Sequence, residues 1–294
     1  MRIFLKSLAA LLFLALAVWA IRSDSQPERG SVSAAPLGGT AATAGDPGWR
    51  HSPIWDDGKA EFCAYEATWA RYGHHYAGRA LLVLVKEPWA PDLDVKADQP
   101  RPGGFEVLKL NHIRDVPTGI YTYHQMASVF ARRDSGALQK IAATSSEACG
   151  VSTAQMVDGR LETRSYFDGQ GDRALDYPAG ALPEDGLPLF LRSYVTVAPP
   201  ATLAVFPSLL QSRFPDLEPR TYRVEKRDLP EGTELRLTGG KSVLAYTFDR
   251  EAPYPLVRFE REDGTVYRLA KCDRIAYWDM HDPGGEAWLP EKVR

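Results

Sequence analysis

From Trp55 onward the chain is a succession of short apolar or alternating runs, rich in β-branched and aromatic residues and divided by turn formers. That pattern reads as strand after strand. Eleven runs qualify: Ala60 to Tyr72, Arg79 to Lys86, Phe105 to Arg114, Ile120 to Arg132, Gln139 to Ser146, Arg160 to Phe167, Thr221 to Lys226, Glu234 to Thr238, Ser242 to Phe248, Leu256 to Glu260 and Val266 to Trp278. Gly73-His74-His75-Tyr76-Ala77-Gly78 is suited to closing a hairpin and Asp158-Gly159 to a type I′ turn, while Gly239-Gly240 and Asp263-Gly264 supply positive φ at low steric cost. Neighbouring strands then pair antiparallel, and a sheet of so many strands curls or closes rather than staying flat. The expected fold class is therefore mainly β, a long curved antiparallel sheet or partly open β-barrel. One stretch departs from it. LPLFLRSYVTVA from Leu187, followed by PPATLAVFPSLLQSRFPD, holds Pro-bounded apolar clusters that predict a short helical insertion over 187–214, covering an end or face of the sheet.

The start of the chain is different in kind. Arg2 and Lys6 precede the apolar run Leu8 to Ile21, which ends in Ala17-Val18-Trp19-Ala20 before Arg22. This is a signal-peptide pattern, and the run is shorter than the ~20 residues a spanning helix needs. Residues 1–22 are expected to be a signal peptide or short N-terminal anchor, which places the protein in the periplasm or otherwise outside the cytoplasm, tethered to the inner membrane if the segment is uncleaved. Residues 23–50 contain small and polar side chains that bury too little surface to offset ordering entropy, so they read as a flexible linker. Residues 51–294 are then expected to form a single β-rich domain. With 35 basic and 38 acidic side chains and a net charge of −3, there is no electrostatic case for nucleic acid or an anionic membrane. Membrane contact is expected only through the N-terminal segment.

Three cysteines are present, an odd number that leaves at least one unpaired within the chain in an oxidising compartment. Cys63 lies on the first expected strand and Cys272 on the last, so closure of a curved sheet would bring them together as a disulfide; the alternative is two small buried side chains. Cys149, in Ser145-Ser146-Glu147-Ala148-Cys149-Gly150, is the candidate for a catalytic thiol. Such a role needs a nearby His or positive field and an oxyanion donor pair. His112 and His124 lie on strands that precede it, and the competing reading is a structural thiol near a strand end.

Other constellations read more simply. His74-His75 fall in an expected hairpin loop, and no H-x-x-x-H, H-E-x-x-H or C-x-x-C spacing accompanies them. Asp168-Gly169-Gln170-Gly171-Asp172 lacks the sixth-position Gly and terminal Glu of a calcium loop and reads as a turn. Arg101-Pro102-Gly103-Gly104 lacks the lysine of a phosphate loop, and no G-x-S-x-G elbow nominates a serine. The aromatic set Trp55, Trp69, Tyr72, Trp89, Tyr121, Tyr123, Phe130, Tyr166, Tyr277 and Trp278 reads as sheet packing before it reads as a ligand platform. No metal or cofactor is expected.

Asp57-Gly58-Lys59-Ala60-Glu61, Arg71-Tyr72-Gly73, the Leu82 to Lys86 strand, Lys109-Leu110-Asn111, Thr118-Gly119-Ile120-Tyr121, Ser145-Ser146 with Cys149-Gly150, Ser165-Tyr166-Phe167 and Tyr277-Trp278 occur in an order that resembles an exported bacterial family of unknown function. Its members often carry the label septum formation inhibitor Maf, and the resemblance runs over roughly residues 55 to 280. It implies an exported, β-rich domain and supplies no catalytic residues. True Maf proteins are cytosolic nucleotide pyrophosphatases with a Ser-Pro-Arg-Arg loop, which does not occur here.

These readings converge on a non-enzymatic envelope protein. Its curved sheet is expected to bind a lipid or other apolar or amphipathic ligand on a concave face, or to dock an envelope protein. A hydrolase or thiol enzyme using Cys149 is the alternative from another class, and a purely structural module is the third.

Overall fold

Alternating burial along the strands is what bends this chain into its shape. In the segment Tyr121–Arg132, for example, Tyr123, Gln125, Ala127, Val129 and Ala131 are buried while His124 and Met126 are exposed. Side chains on a strand point alternately to opposite faces, so one face of the sheet is committed to the interior. The computed structural model describes residues 45–293. The expected signal segment, 1–22, and most of the expected linker, 23–50, lie outside the described residues.

The strands are β1 (Ala60–Arg71), β2 (His74–Ala90), β3 (Val95–Lys96), β4 (Phe105–Thr118), β5 (Tyr121–Arg132), β6 (Leu138–Glu147), β7 (Gly150–Val157), β8 (Arg160–Arg164), β9 (Arg173–Asp176), β10 (Leu182–Pro183), β11 (Thr202–Phe206), β12 (Arg220–Leu229), β13 (Gly232–Gly239), β14 (Ser242–Phe248), β15 (Leu256–Arg261) and β16 (Val266–Ile275). They form one open sheet in the order β10-β11-β12-β13-β14-β15-β16-β1-β2-β4-β5-β6-β7-β8-β9, with β3 added beside β2. Every pairing is antiparallel except β10 with β11. The first and last strands thus meet in the middle of the sheet, and its two edges, β9 and β10, are neighbours in sequence. The fold is mainly β, as the strand pattern predicts. At 12, 17, 14 and 12 residues, β1, β2, β4 and β5 are longer than most strands. Twist accumulated over such lengths curls the sheet.

Local chemistry sets the corners. Asp158 and Gly159 both have positive φ, the type I′ geometry expected there, and Tyr72 and Gly73 do the same between β1 and β2. The β1–β2 turn is therefore tighter than the expected Gly73 to Gly78 loop, and His74 to Ala77 already belong to β2. Gly78 is needed for another reason: a Cβ there would fall on the Asp115 carbonyl oxygen and against Trp69 and Pro117.

The concave face is filled by residues 182–217. The short helix α2 (Leu187–Phe190) runs between 3₁₀ turns at Glu184–Gly186 and Leu191–Tyr194, and its residues are buried throughout. The insertion expected over 187–214 is helical only in this first part. Bracketed by Pro199-Pro200 and Pro207, Thr202–Phe206 is β11, paired with β12. Residues 207–217 then run without regular structure and still bury Leu209, Leu210, Phe214 and Leu217. A buried ion pair fixes the helical turn to the sheet. Arg192 donates from Nη2 to Glu61 Oε1 at 2.6 Å and from Nη1 to Glu61 Oε2 at 3.1 Å, and further to the carbonyls of Pro188 and Pro253.

Two packing features lie where the sequence reading placed a linker and a strand. Helix α1 (Gly48–His51) buries Trp49 and Arg50, and Trp49 Nε1 donates to Ser193 Oγ at 3.0 Å. The linker boundary at residue 50 therefore falls inside the packed region, because a single Trp among small residues carries enough apolar area to anchor its neighbours. At the other end β16 stops at Ile275, and Tyr277–Asp279 forms a 3₁₀ turn. Tyr277 and Trp288 cover Phe62 on the convex face, beside Ala60, Val83 and Val85. Among the described residues no helix is long and apolar enough to cross a membrane.

Candidate functional site

Register turns the inward face into rows of distinct chemistry. Leu84, Leu110, Val129, Ile141, Met156 and Leu161 are successive cross-strand partners, a wholly apolar row. Two rows further along lie Tyr65, Ala80, Arg114, Gln125, Ser145 and Ser152, and this row is polar from Arg114 onward. Arg114 donates to Gln125 Oε1 from Nε at 3.1 Å and from Nη2 at 2.8 Å, and Gln125 Nε2 donates to Ser145 Oγ at 2.9 Å. Buried polar groups require partners, and here the irregular segment provides the rest. Arg114 reaches the Leu210 carbonyl, Ser145 Oγ and Ser212 Oγ share a hydrogen bond at 3.0 Å, and Ser152 Oγ donates to the Ser212 carbonyl at 2.7 Å. From the β8–β9 loop, Gln170 Oε1 accepts from Phe214 N at 2.8 Å, and Arg173 donates to the Phe214 carbonyl at 2.6 Å. The polar row is thus a set of anchors that straps residues 208–214 across one end of the concave face.

Between this strap, the 184–188 turn and β14–β16 the packing leaves a cavity of about 340 Å³, within the range of small-molecule sites. Its wall runs through Trp69, Tyr267 and Phe259, with ring centroids 4.8 and 5.0 Å apart. Exposed Pro215, Arg220, Glu262 and Asp263 are on its lining, so it opens to solvent on that side. Val116, Val205, Leu210 and Leu256 contribute apolar wall, while Arg71, Arg114, Glu184, Asp185 and Arg261 contribute charge. The lining is amphipathic. It is less apolar than a carrier site for a purely hydrocarbon ligand would be.

Two buried titratable groups border the cavity and are shifted in ways that oppose each other across the acid range. Burial pushes Asp185 up to about 6, against the lowering effect of the Arg114 charge and the Ser208 hydrogen bond. Burial also takes His112, bonded to Tyr267 Oη at 3.0 Å, down to about 3, with Arg114 acting in the same direction. Above the ordinary Asp value near ~4 and below about 6, native Asp185 keeps a proton that the unfolded chain releases, so its contribution to stability declines as pH rises through that window. His112 does the opposite: native His112 stays neutral where unfolded His charges, so stability from it is lost as pH falls from its ordinary value near ~6.5 towards about 3. An Asp185→Asn variant isolates the first effect. Relative to that variant, the native protein should lose on the order of 2–3 kcal/mol of stability between about pH 4 and pH 7, read as the difference between two sets of urea unfolding curves. A difference that does not change with pH would refute the assignment.

The residues singled out from sequence fall into separate places. Cys63 and Cys272 are register partners on β1 and β16 and are joined by a disulfide. Glu61 lies beside them, but its oxygens are engaged by Arg192 and the sulfurs by each other. Cys149 is free and exposed at the β6–β7 turn. Neither candidate base approaches it: His112 is bonded to Tyr267, and the exposed His124 bonds Asp115 Oδ1 at 2.8 Å. Its neighbour is Glu147, which accepts from Cys149 N at 2.6 Å and, through its hydrogen bond and negative charge, holds the thiol above its ordinary pKa. A thiolate nucleophile needs the reverse field. His74 and His75 are exposed on β2, with His75 turned to the Asp263 carbonyl. In the loop from Asp168 to Asp172 the working residue is Gln170, which anchors the strap. Of the aromatic set, Trp55, Trp69, Trp89 and Tyr123 are core, whereas Tyr72, Tyr166 and Trp278 are exposed. Of the charged cavity residues, Arg71 falls in the Arg71-Tyr72-Gly73 feature of the resemblance, which assigns it no role, and Arg114, Asp185 and Arg261 fall in no sequence motif.

No protein-family model and no curated protein matches the chain. Among solved structures, it is similar to a β-barrel-like protein from Brucella abortus, a domain of unknown function (DUF1849), with a TM-score of 0.42 and 10% identity over 74% of this chain and 98% of that one.

Proposed function

We propose that this protein is an exported, non-enzymatic binding protein that holds an amphipathic ligand in the cavity on its concave face. The observation that carries the reading is the cavity itself, large enough for a small molecule and lined both by aromatic and aliphatic groups and by guanidinium and carboxylate groups. Export is supported by the basic-apolar start of the chain and by the Cys63–Cys272 disulfide, since such bonds persist in oxidising compartments. The absence of a catalytic role for Cys149 is supported by its acidic neighbour. Native mass spectrometry of the full chain purified from its own envelope fraction, followed by denaturing extraction, tests the reading. A stoichiometric amphipathic molecule is the expected result. A homogeneous empty protein would overturn it in favour of a structural or partner-docking module.

A further inference from the structure

We infer that the cavity recognises an oxyanion, a carboxylate or phosphate group on its ligand, through Arg71 and Arg114 of its lining. The inference rests on the binding reading above and adds the chemistry of the group that is held. Among the buried side-chain nitrogens without a hydrogen-bond partner in the described residues, Trp69 Nε1, Arg71 Nε and Arg261 Nε belong to residues that line this one cavity. All three are N–H donors. Burying an N–H without an acceptor is costly, and more so on a charged group, so their concentration in one place is a demand for acceptor atoms from outside the chain.

The carboxylates on the lining each have a partner of their own. Glu184 is paired with Arg261 and Asp216 with Arg220. Asp185 accepts from Ser208 Oγ at 2.5 Å and from Leu209 N at 2.7 Å. Glu262 accepts from Val243 N at 2.9 Å, and Asp263 from Thr265 N at 2.7 Å. Arg71 and Arg114, by contrast, have no carboxylate within ion-pair distance among the described residues. Arg114 is held by the neutral Gln125 and the Leu210 carbonyl. Arg71 Cζ lies over two aromatic rings, 4.0 Å from the Tyr123 centroid and 4.9 Å from that of Tyr72, and the guanidinium hydrogen-bonds both side chains, while its Nε has no partner among the described residues. A guanidinium carries five N–H groups in a planar fork, so a held Arg71 with its Nε unsatisfied still has a donor for an oxygen, the chemistry that suits carboxylate and phosphate. Apolar wall from Val116, Leu256 and Phe259 lies in the same cavity, so a short acyl chain has a place beside the anionic end.

Calorimetric titration of the full chain with decanoate, decanol and inorganic phosphate tests this. Decanoate should bind at least about tenfold more tightly than decanol, because a hydrogen bond to a charged group is at stake. Arg71→Gln should weaken decanoate by about tenfold or more and by a larger factor than decanol, and Arg71→Lys should restore part of the loss. Displacement of decanoate by phosphate would support the anion seat and identify the oxyanion alone as sufficient. Decanol binding as tightly as decanoate would overturn the oxyanion inference while leaving the cavity as a binding site. Failure of all three probes would overturn both. The decanoate–decanol comparison uses the unaltered protein, so the conclusion does not depend on the variants folding.

Discussion

An Arg192→Met variant should lose about 3–5 kcal/mol of stability, the cost of stranding a buried carboxylate. The side chains of Arg192 and Glu61 are 1% and 5% exposed, and the guanidinium meets both carboxylate oxygens. It also satisfies the carbonyls of Pro188 and Pro253, so one residue ties the helical turn to β1 and to the β14–β15 connection. Methionine fills much of the same volume but leaves Glu61 unpaired in a low-dielectric interior, where it must take up a proton or lose its packing. Urea unfolding followed by tryptophan fluorescence at neutral pH measures the loss, and Trp49, stacked 5.6 Å from the Arg192 guanidinium, makes the probe local. The double variant Glu61→Leu with Arg192→Met should recover much of it, since replacing both charges removes the stranded one. A single variant within about 1 kcal/mol of the native protein would mean that the pair is solvated and the insertion held by apolar contacts alone.

Opening the Cys63–Cys272 bond should be nearly as costly, by roughly 2–5 kcal/mol. The bridged residues are 209 positions apart, so in the unfolded state the bond closes a very long loop and removes much of its conformational freedom. In the native state it adds to a pairing that extends from Ala60–Ile275 to Thr68–Val266 and already holds the two strands together. The effect therefore falls mainly on the unfolded chain, and the reduced protein should keep its fold while unfolding at lower urea. Curves for the native protein and for Cys63→Ser with Cys272→Ser, each in a Cys149→Ala background to prevent disulfide exchange, test this. Coincident midpoints would show that the bond contributes nothing beyond the strand pairing.

The strands that are legible in sequence are those whose inward residues are large. Leu82 and Leu84 in β2, Leu108 and Leu110 in β4 and Leu235 and Leu237 in β13 announce themselves by size. β7 does not, because its inward residues include Ser152 and Ala154, which look the same as outward ones until the partner strand is known. The polar row escaped notice for the same reason: Gln125, Ser145 and Ser152 read as solvent-facing alternation, and only the strap at 208–214 makes them interior anchors. That strap has no periodicity to detect. The cavity is hidden in sequence because its charged residues come from strands and turns as far apart as Arg71, Arg114, Asp185 and Arg261, brought together by curvature and by no local motif. β11 is hidden in sequence because Pro on both sides suggests helix ends when they mark a short edge-side strand.

The pairing of first strand with last has a topological consequence. From Cys63 to Cys272 the backbone and the disulfide together make a closed covalent ring, and the rest of the described chain hangs from it as two tails. A single protease cut in an exposed connection such as Asp168-Gly169 would open that ring without dividing the molecule. The nicked protein would migrate as one species until reductant is added and as two fragments afterwards. Such a molecule can be cut once and still keep both halves of its sheet side by side.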